Sequence, residues 1–208
     1  MNSICLIDLD DTLVDLKEPL MEALNKNTKK DIHWSKWYTF DVPKLYDITH
    51  DEFIKICITE NVIEKAVIHN KSYEFLDKLN KLGLYTVLIT ARGWHPDAIN
   101  LTEHWVSEHN LNIDELIIVG VNESKIHSIK KFNNIIFSVD DRIKHCREYT
   151  QSGKINNVIV YDAPWNTHMT RWNKYWKGYD YNIRIKDLNE IIPHVESHEL
   201  DRRILNVC

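Results

Sequence analysis

Three apolar runs end in side chains that can ligate, donate or attack. Residues 3–9 lead into Asp8-Leu9-Asp10-Asp11-Thr12, residues 84–90 into Thr90-Ala91-Arg92, and residues 135–139 into Asp140-Asp141-Arg142. Each alone says little, because an aspartate after a strand is ordinarily a turn or helix-cap residue. Gathered at one edge, however, Asp8, Asp10, Asp140 and Asp141 crowd four like charges, which is costly unless a cation neutralises them. Hard oxygen ligands without His or Cys point to Mg²⁺ rather than zinc. With hydroxyl donors from Thr12 and Thr90 and a guanidinium from Arg92, such a site suits phosphate. One aspartate can attack phosphorus to form an aspartyl-phosphate, and a second two residues on can protonate the leaving oxygen and then activate water. A cationic third element is expected from a helix feeding the last of these strands. Lys125, Lys130 and Lys131 are candidates, and Lys125 is preferred because it opens the helix preceding Asp140.

The elements that must position these groups follow from hydropathy. Continuous apolar runs at 3–9, 84–90, 116–119, 135–139 and 158–161 are the pattern of parallel strands buried on both faces. Helix-period segments alternate with them. Tyr73, Leu76, Leu79 and Leu82 form one apolar face ended by Gly83. Pro96 opens a helix carrying Ile99, Leu101, Trp105 and Val106, while Ile126, Ile129 and Phe132 mark a third and residues 143–149 a fourth. Strands alternating with helices imply an open α/β sheet, whose sites lie at the carboxyl ends of the strands. Residues 15–71 break the alternation. They read as helical and aromatic-rich, with Trp34, Trp37, Tyr38 and Phe40 at their centre, and are expected to cover the end of the first strand.

The chain of 208 residues has 43% hydrophobic and 27% charged residues, which excludes wholesale disorder. Its formal charge of -5 provides no bulk attraction to a phosphate polymer, so a nucleic-acid partner would need a local patch. Lys174, Lys177, Arg184 and Lys186 among Trp172, Tyr175, Trp176, Tyr179 and Tyr181 make one mildly basic cluster, read as ordinary surface backed by buried aromatics. His194 and His198 stand four apart, without a third ligand, and read as a solvated face; the polar tail 196–208 is expected to form a last helix or to fray. No run approaches a membrane span, and the first residues lack the basic start and apolar stretch of a signal peptide. Cys5, Cys57, Cys146 and Cys208 are widely spaced with no CxxC, so a reduced, cytoplasmic chain is expected.

Residues 4–12 resemble motif I of the haloacid dehalogenase (HAD) superfamily, an apolar strand followed by DxDxT. Thr90 resembles motif II, Lys125 motif III and Asp140-Asp141 motif IV, in matching order and spacing. The resemblance implies a Rossmann-like core of residues 1–14 and 72–208, with residues 15–71 as a small helical cap of the C1 type inserted after the first strand. It also implies Asp8 as nucleophile, Asp10 as acid and base, and Mg²⁺ on Asp8, the Asp10 carbonyl, Asp140 and Asp141. The presence of Asp10 implies a phosphatase rather than a dehalogenase.

Three further strings, 32–37 in the insertion, 139–142, and Tyr161-Asp162-Ala163-Pro164-Trp165-Asn166, are similar to the 5'(3')-deoxyribonucleotidases. That likeness implies nucleoside 5'- or 3'-monophosphates as substrate, with Trp34, Trp37, Tyr38 and Phe40 against the base. Thr90-Ala91-Arg92 departs from the Thr-Ser-Pro of the mammalian enzymes. Together with Asp140-Asp141-Arg142 it resembles the 3'-phosphatase domain of phage polynucleotide kinase, which makes a polynucleotide 3'-phosphatase the alternative. The sequence contains no GxxxxGK(S/T) loop for a fused kinase. A non-catalytic nucleotide-binding module is the third reading, disfavoured because a binder gains nothing from an intact acid/base Asp10. Base and sugar preference and oligomeric state are left open.

Overall fold

The computed structural model describes residues 3–120, 123–167 and 183–196. The strands are β1 (Ile4–Ile7), β2 (Val14–Asp15), β3 (Val67–Ile68), β4 (Tyr85–Thr90), β5 (Glu115–Ile118), β6 (Ile135–Asp140), β7 (Ile155–Tyr161) and β8 (Ile183–Ile185). The helices are α1 (Lys17–Thr28), α2 (Val42–Leu45), α3 (His50–Thr59), α4 (Ser72–Lys81), α5 (Ala98–Glu108), α6 (Lys125–Ser128) and α7 (Ile143–Ser152). Six strands form one sheet in the order β5-β4-β1-β6-β7-β8, every neighbour parallel. The order runs outward from β1 to β5 and then reverses through β6, so β1 lies at the switch point where open α/β sheets build their sites.

Why these runs are strands is visible in where alternate side chains go. Cys5 and Ile7 of β1 and Leu88 of β4 enter one apolar cluster, with Phe75, Leu76 and Leu79 of α4 and Trp105 of α5. Ile4 and Leu6 of β1 and Val87 and Ile89 of β4 enter the other, with Cys146 and Tyr149 of α7. A strand sandwiched in this way must be apolar on both faces, and burying each such side chain stabilises by about 1.5–3 kcal/mol.

Helix detail differs from the periodicity at three places. Phe75 takes the inward position on α4 while Tyr73 is exposed. On α5 the buried face is Ala98, Thr102 and Trp105, and Ile99 points to solvent. Helix α6 is a single turn, so the buried Ile129 and Phe132 lie beyond it. Two features carried no apolar signal long enough to notice. One is β8, which extends the sheet beside β7. The other is the antiparallel pair β2–β3, joining the two passages of the chain into and out of the segment between them.

That intervening segment holds α1, a 3-10 turn at Trp34–Lys36, α2 and α3. Helix α3 starts on a reciprocal cap between Thr49 and Glu52. Leu20, Leu24, Trp37, Tyr46 and Cys57 make an apolar cluster here, which also takes in Ala163 and Trp165 from the loop after β7. The segment therefore packs on the sheet's carboxyl edge. Among the described residues no helix is long and apolar enough to cross a membrane. The cluster around Lys174 and Lys177, with its aromatics from Trp172 to Tyr181, lies outside the described residues, as do His198 and the tail from residue 197.

Candidate active site

Strands β4, β1 and β6 are neighbours, so their carboxyl ends deliver Thr90, Asp8 and Asp140 side by side. The backbone N–H of Asp8 donates to the Val139 carbonyl at 3.0 Å, which places the first carboxylate over the end of β6. Candidate ligand oxygens of Asp8, Asp140 and Asp141 lie within 4.8 Å of one another, and all three residues are buried. Lys125, at the start of α6, reaches two of them. Its Nζ donates to Asp8 Oδ1 at 2.5 Å and Asp140 Oδ2 at 2.8 Å, with the side chain only 1% exposed. Ser124 caps α6 and donates to Glu148 Oε2 at 2.7 Å, so the short helix presenting Lys125 is tied to α7. Lys130 and Lys131 are exposed, and Lys131 pairs with Glu115.

The charges do not balance within the protein. Burial pushes the Asp8 carboxyl up to about 8, with Lys125 opposing and Asp140 and Asp10 adding to the rise. Burial, with the charges of Asp8 and Asp140, holds Asp141 well above the usual carboxylate range. Burial also works against Asp140, but Lys125 and His145 outweigh it and hold that carboxyl low. For Lys125, burial is overcome by Asp140 and Asp8, which keep the ammonium protonated. One lysine cannot neutralise three buried carboxylates, so without a cation Asp8 and Asp141 are driven toward their protonated forms, and the candidate donors are all hard oxygens. That set fits a divalent cation of the Mg²⁺ type.

Asp10 is directed elsewhere. Thr90 Oγ1 donates to Asp10 Oδ2 at 3.2 Å. Arg92 grips the same carboxylate, Nε at 3.1 and 2.9 Å from its two oxygens and NH2 at 2.5 Å from Oδ1. Its remaining nitrogen donates to Thr102 Oγ1 at 3.4 Å, and the residue is 1% exposed. Arg92, expected to touch phosphate, is thus spent on holding Asp10 and does not line the cavity. The reason is geometric: a guanidinium two residues past the end of β4 meets the carboxylate two residues past Asp8 on the neighbouring strand. Thr12, also expected at phosphate, is buried with its hydroxyl 3.4 Å from Asp8 Oδ2. Asp11 adopts a left-handed backbone (φ 57°) and accepts from the N–H groups of Leu16 and Lys17, so it caps the start of α1.

A cavity of about 860 Å³ opens above Asp8, Asp10, Thr90 and Asp141. Trp37, Tyr38, Phe40, Phe53, Trp94 and Trp165 supply its apolar wall, and Arg142 lies face-on over Phe40 with Cζ 4.1 Å from the ring centroid. Trp37 is buried, whereas Tyr38 and Phe40 are 69% and 48% exposed at the rim. Trp34 is not among the lining residues; its indole N–H donates to Glu18 at 2.9 Å and Lys17 stands over its ring.

No protein-family model matches the chain. The structure of a "Putative haloacid dehalogenase-like hydrolase" from Bacteroides fragilis superposes with a TM-score of 0.69 over 92% of this chain and 100% of that one, at 13% identity. A "predicted phosphatase" from Clostridium acetobutylicum gives 0.63 over 95% of this chain and 99% of that one, also at 13% identity. The chain has the haloacid dehalogenase-like fold. In sequence it is 27% identical over 165 residues to "Putative nucleotidase YqfW" of Bacillus subtilis, spanning 77% of this chain and 80% of that protein.

Within this haloacid dehalogenase-like fold, three contacts at the site escaped sequence reasoning. His145, in the first turn of α7, points Nδ1 at Asp140 Oδ2 from 3.1 Å. Trp165 donates its indole N–H to Asp141 Oδ2 at 2.7 Å, and Asn166 donates to the Asp141 carbonyl at 2.7 Å. The i, i+5 spacing of Asp140 and His145 was a readable signal once the helix start was known. For Trp165 and Asn166 the signal was the likeness of their string to the 5'(3')-deoxyribonucleotidases, which gave them no chemical role, because the contact joins residues 24 apart through a loop.

Proposed function

We propose that the protein is a Mg²⁺-dependent phosphatase that hydrolyses nucleoside monophosphates, preferably deoxy, with residues 1–14 and 72–208 as catalytic core and 15–71 as cap. The supporting observation is the division of labour between two carboxylates two residues apart: Asp8 belongs to the buried acidic triad, while Asp10 is turned out of it and clamped beside the cavity by Thr90 and Arg92. Asp8, Asp140 and Asp141 would hold the Mg²⁺ with the Asp10 carbonyl, and the ion would supply charge neutralisation for the phosphoryl group.

Asp8 attacks phosphorus, forming an Asp8 Oδ–P bond as the bond from phosphorus to the nucleoside oxygen breaks. Asp10, having taken up a proton as the phosphate monoester binds, gives that proton to the departing oxygen. A water then attacks the phospho-aspartate, its proton passing to Asp10, and inorganic phosphate leaves with the Asp8 carboxylate restored. Thr90 and Arg92 hold Asp10 in line for both transfers, and Lys125 offsets negative charge at Asp8 throughout. The cavity volume lies within the 300–1,000 Å³ typical of small-molecule sites, and the wall of Trp37, Tyr38, Phe40 and Trp165 offers planar apolar surface to a base. The curated relative's name supports the nucleotide reading.

The polynucleotide alternative rests on Arg92 and on Asp140-Asp141-Arg142; Arg92 is taken up by Asp10, while Arg142 lines the cavity, where Lys144 is the other lysine or arginine. The test is phosphate release from dUMP, 3'-dTMP and a 3'-phosphorylated oligonucleotide, with and without Mg²⁺. D8N is expected to abolish release while the protein stays folded. Undiminished turnover by D8N sinks the mechanism, and preference for the oligonucleotide transfers the reading to end repair.

A further inference from the structure

Asp141 differs from its two neighbours in the triad. Asp8 and Asp140 share the Lys125 ammonium, but among the described residues the hydrogen bond to the Asp141 carboxylate comes from the Trp165 indole. An indole N–H is a neutral donor with no acceptor, so it cannot ligate a cation or add a competing charge. Held at 2.7 Å, it takes one acceptor site of Oδ2 and leaves the carboxylate's other lone pairs to an ion.

The indole itself is fixed from two sides. On the core side, Asn166 Nδ2 donates to the Asp141 and Tyr161 carbonyls at 2.7 and 2.8 Å, and its Oδ1 accepts from the Ala163 N–H at 3.1 Å. Arg184 of β8 reaches the same Oδ1 at 2.7 Å and Asp162 at 2.5 Å, anchoring the loop to the sheet edge. On the cavity side, the Trp165 ring lies 6.4 Å from Trp37 and 6.3 Å from Phe40, the latter edge-on. The residue is only 6% exposed, so the hydrogen bond to Asp141 is the one its N–H makes among the described residues.

We infer that Trp165 is a positioning residue for the divalent cation: its N–H aims Asp141, and its ring seats that donor against the aromatic wall of the cavity. This rests on the metal-site part of the phosphatase reading and extends it to a residue outside the acidic motifs. Partners that orient a ligating carboxylate commonly set metal affinity by about 10–100-fold.

The experiment is calorimetric titration of metal-free protein with Mg²⁺ alone, no substrate present. W165F is expected to raise the Mg²⁺ Kd by about 10-fold or more. W105F is the control: it makes the same ring change at a buried indole whose N–H has no partner, so its Kd should match wild type. If W165F does not fold, benzothienylalanine at position 165 keeps the bicyclic ring and removes only the donor, and the same loss is expected. A Kd for the donor-less protein within about twofold of wild type overturns the inference, as does an equal loss in W105F. Wild type that binds no Mg²⁺ overturns it as well. Phosphate release does not enter this readout, so D8N tests the phosphatase reading separately.

Discussion

Replacing Arg92 by methionine keeps the aliphatic volume and removes the cation that grips Asp10. Arg92 makes three contacts with that carboxylate, at 3.1, 2.9 and 2.5 Å, from a side chain 1% exposed. Deleting one partner of a buried pair usually costs about 3–5 kcal/mol, because the other charge is left without compensation. Asp10 retains 21% exposure, so water can solvate part of the stranded carboxylate and the lower end, about 3 kcal/mol, is expected. Thr90 alone then holds Asp10, and a misaimed acid and base should lower kcat by about 100-fold, within the range such groups contribute. Urea unfolding in metal-free buffer reads the first quantity and phosphate release the second. The double variant R92M/D10N separates the pair from general damage: with a neutral amide at position 10, R92M should cost at least about 1 kcal/mol less than in wild type and change kcat little further. R92M within about 1 kcal/mol of wild type with activity intact refutes the reasoning, as does an equal cost in the D10N background.

Two other outcomes are expected. K125M leaves Asp8 and Asp140 facing each other without the ammonium, so in chelator it should lose about 3 kcal/mol or more, part of which Mg²⁺ restores by binding only the native state; a rise in Tm on adding Mg²⁺ no larger than that of wild type counts against it. Burial pushes the Cys5 and Cys57 thiols up to about 12 and Cys146 well above its ordinary value, and only the thiolate reacts. In a C208S background, which removes the cysteine outside the described residues, thiol reagent at pH 8 should therefore label nothing until denaturant is added. Rapid labelling of the native protein would contradict the burial.

Much of the arrangement is local and so was written into the chain. A parallel strand buried on both faces needs four or more consecutive apolar residues, which is why β1, β4 and β6 announced themselves, and why the side chains just past them had to share the sheet's carboxyl edge. Among Lys125, Lys130 and Lys131 the sequence supported only a preference for Lys125, which opens the helix before Asp140; the packing is what brings its ammonium to Asp8 and Asp140. Strand β8 and the β2–β3 pair are two or three residues long, too short for a periodic signal. Tyr73 and Ile99 show the limit on helices: periodicity finds an apolar stripe, but Phe75 and Thr102 lay nearer the centre of the packed face.

What the sequence determined by itself was which candidate groups gather and the edge on which they stand, because strand polarity and hydropathy leave little choice. Only the tertiary structure decided what each group contacts there. A guanidinium behind a strand is equally able to meet phosphate or a neighbouring carboxylate, and proximity across β4 and β1 turned Arg92 toward Asp10. Trp34 and Trp37 sit three residues apart in one string, yet packing buried Trp37 beside Trp165 on the cavity wall and left Trp34 over Lys17, outside it. Such choices are made by contacts between residues distant in sequence, which no local pattern encodes.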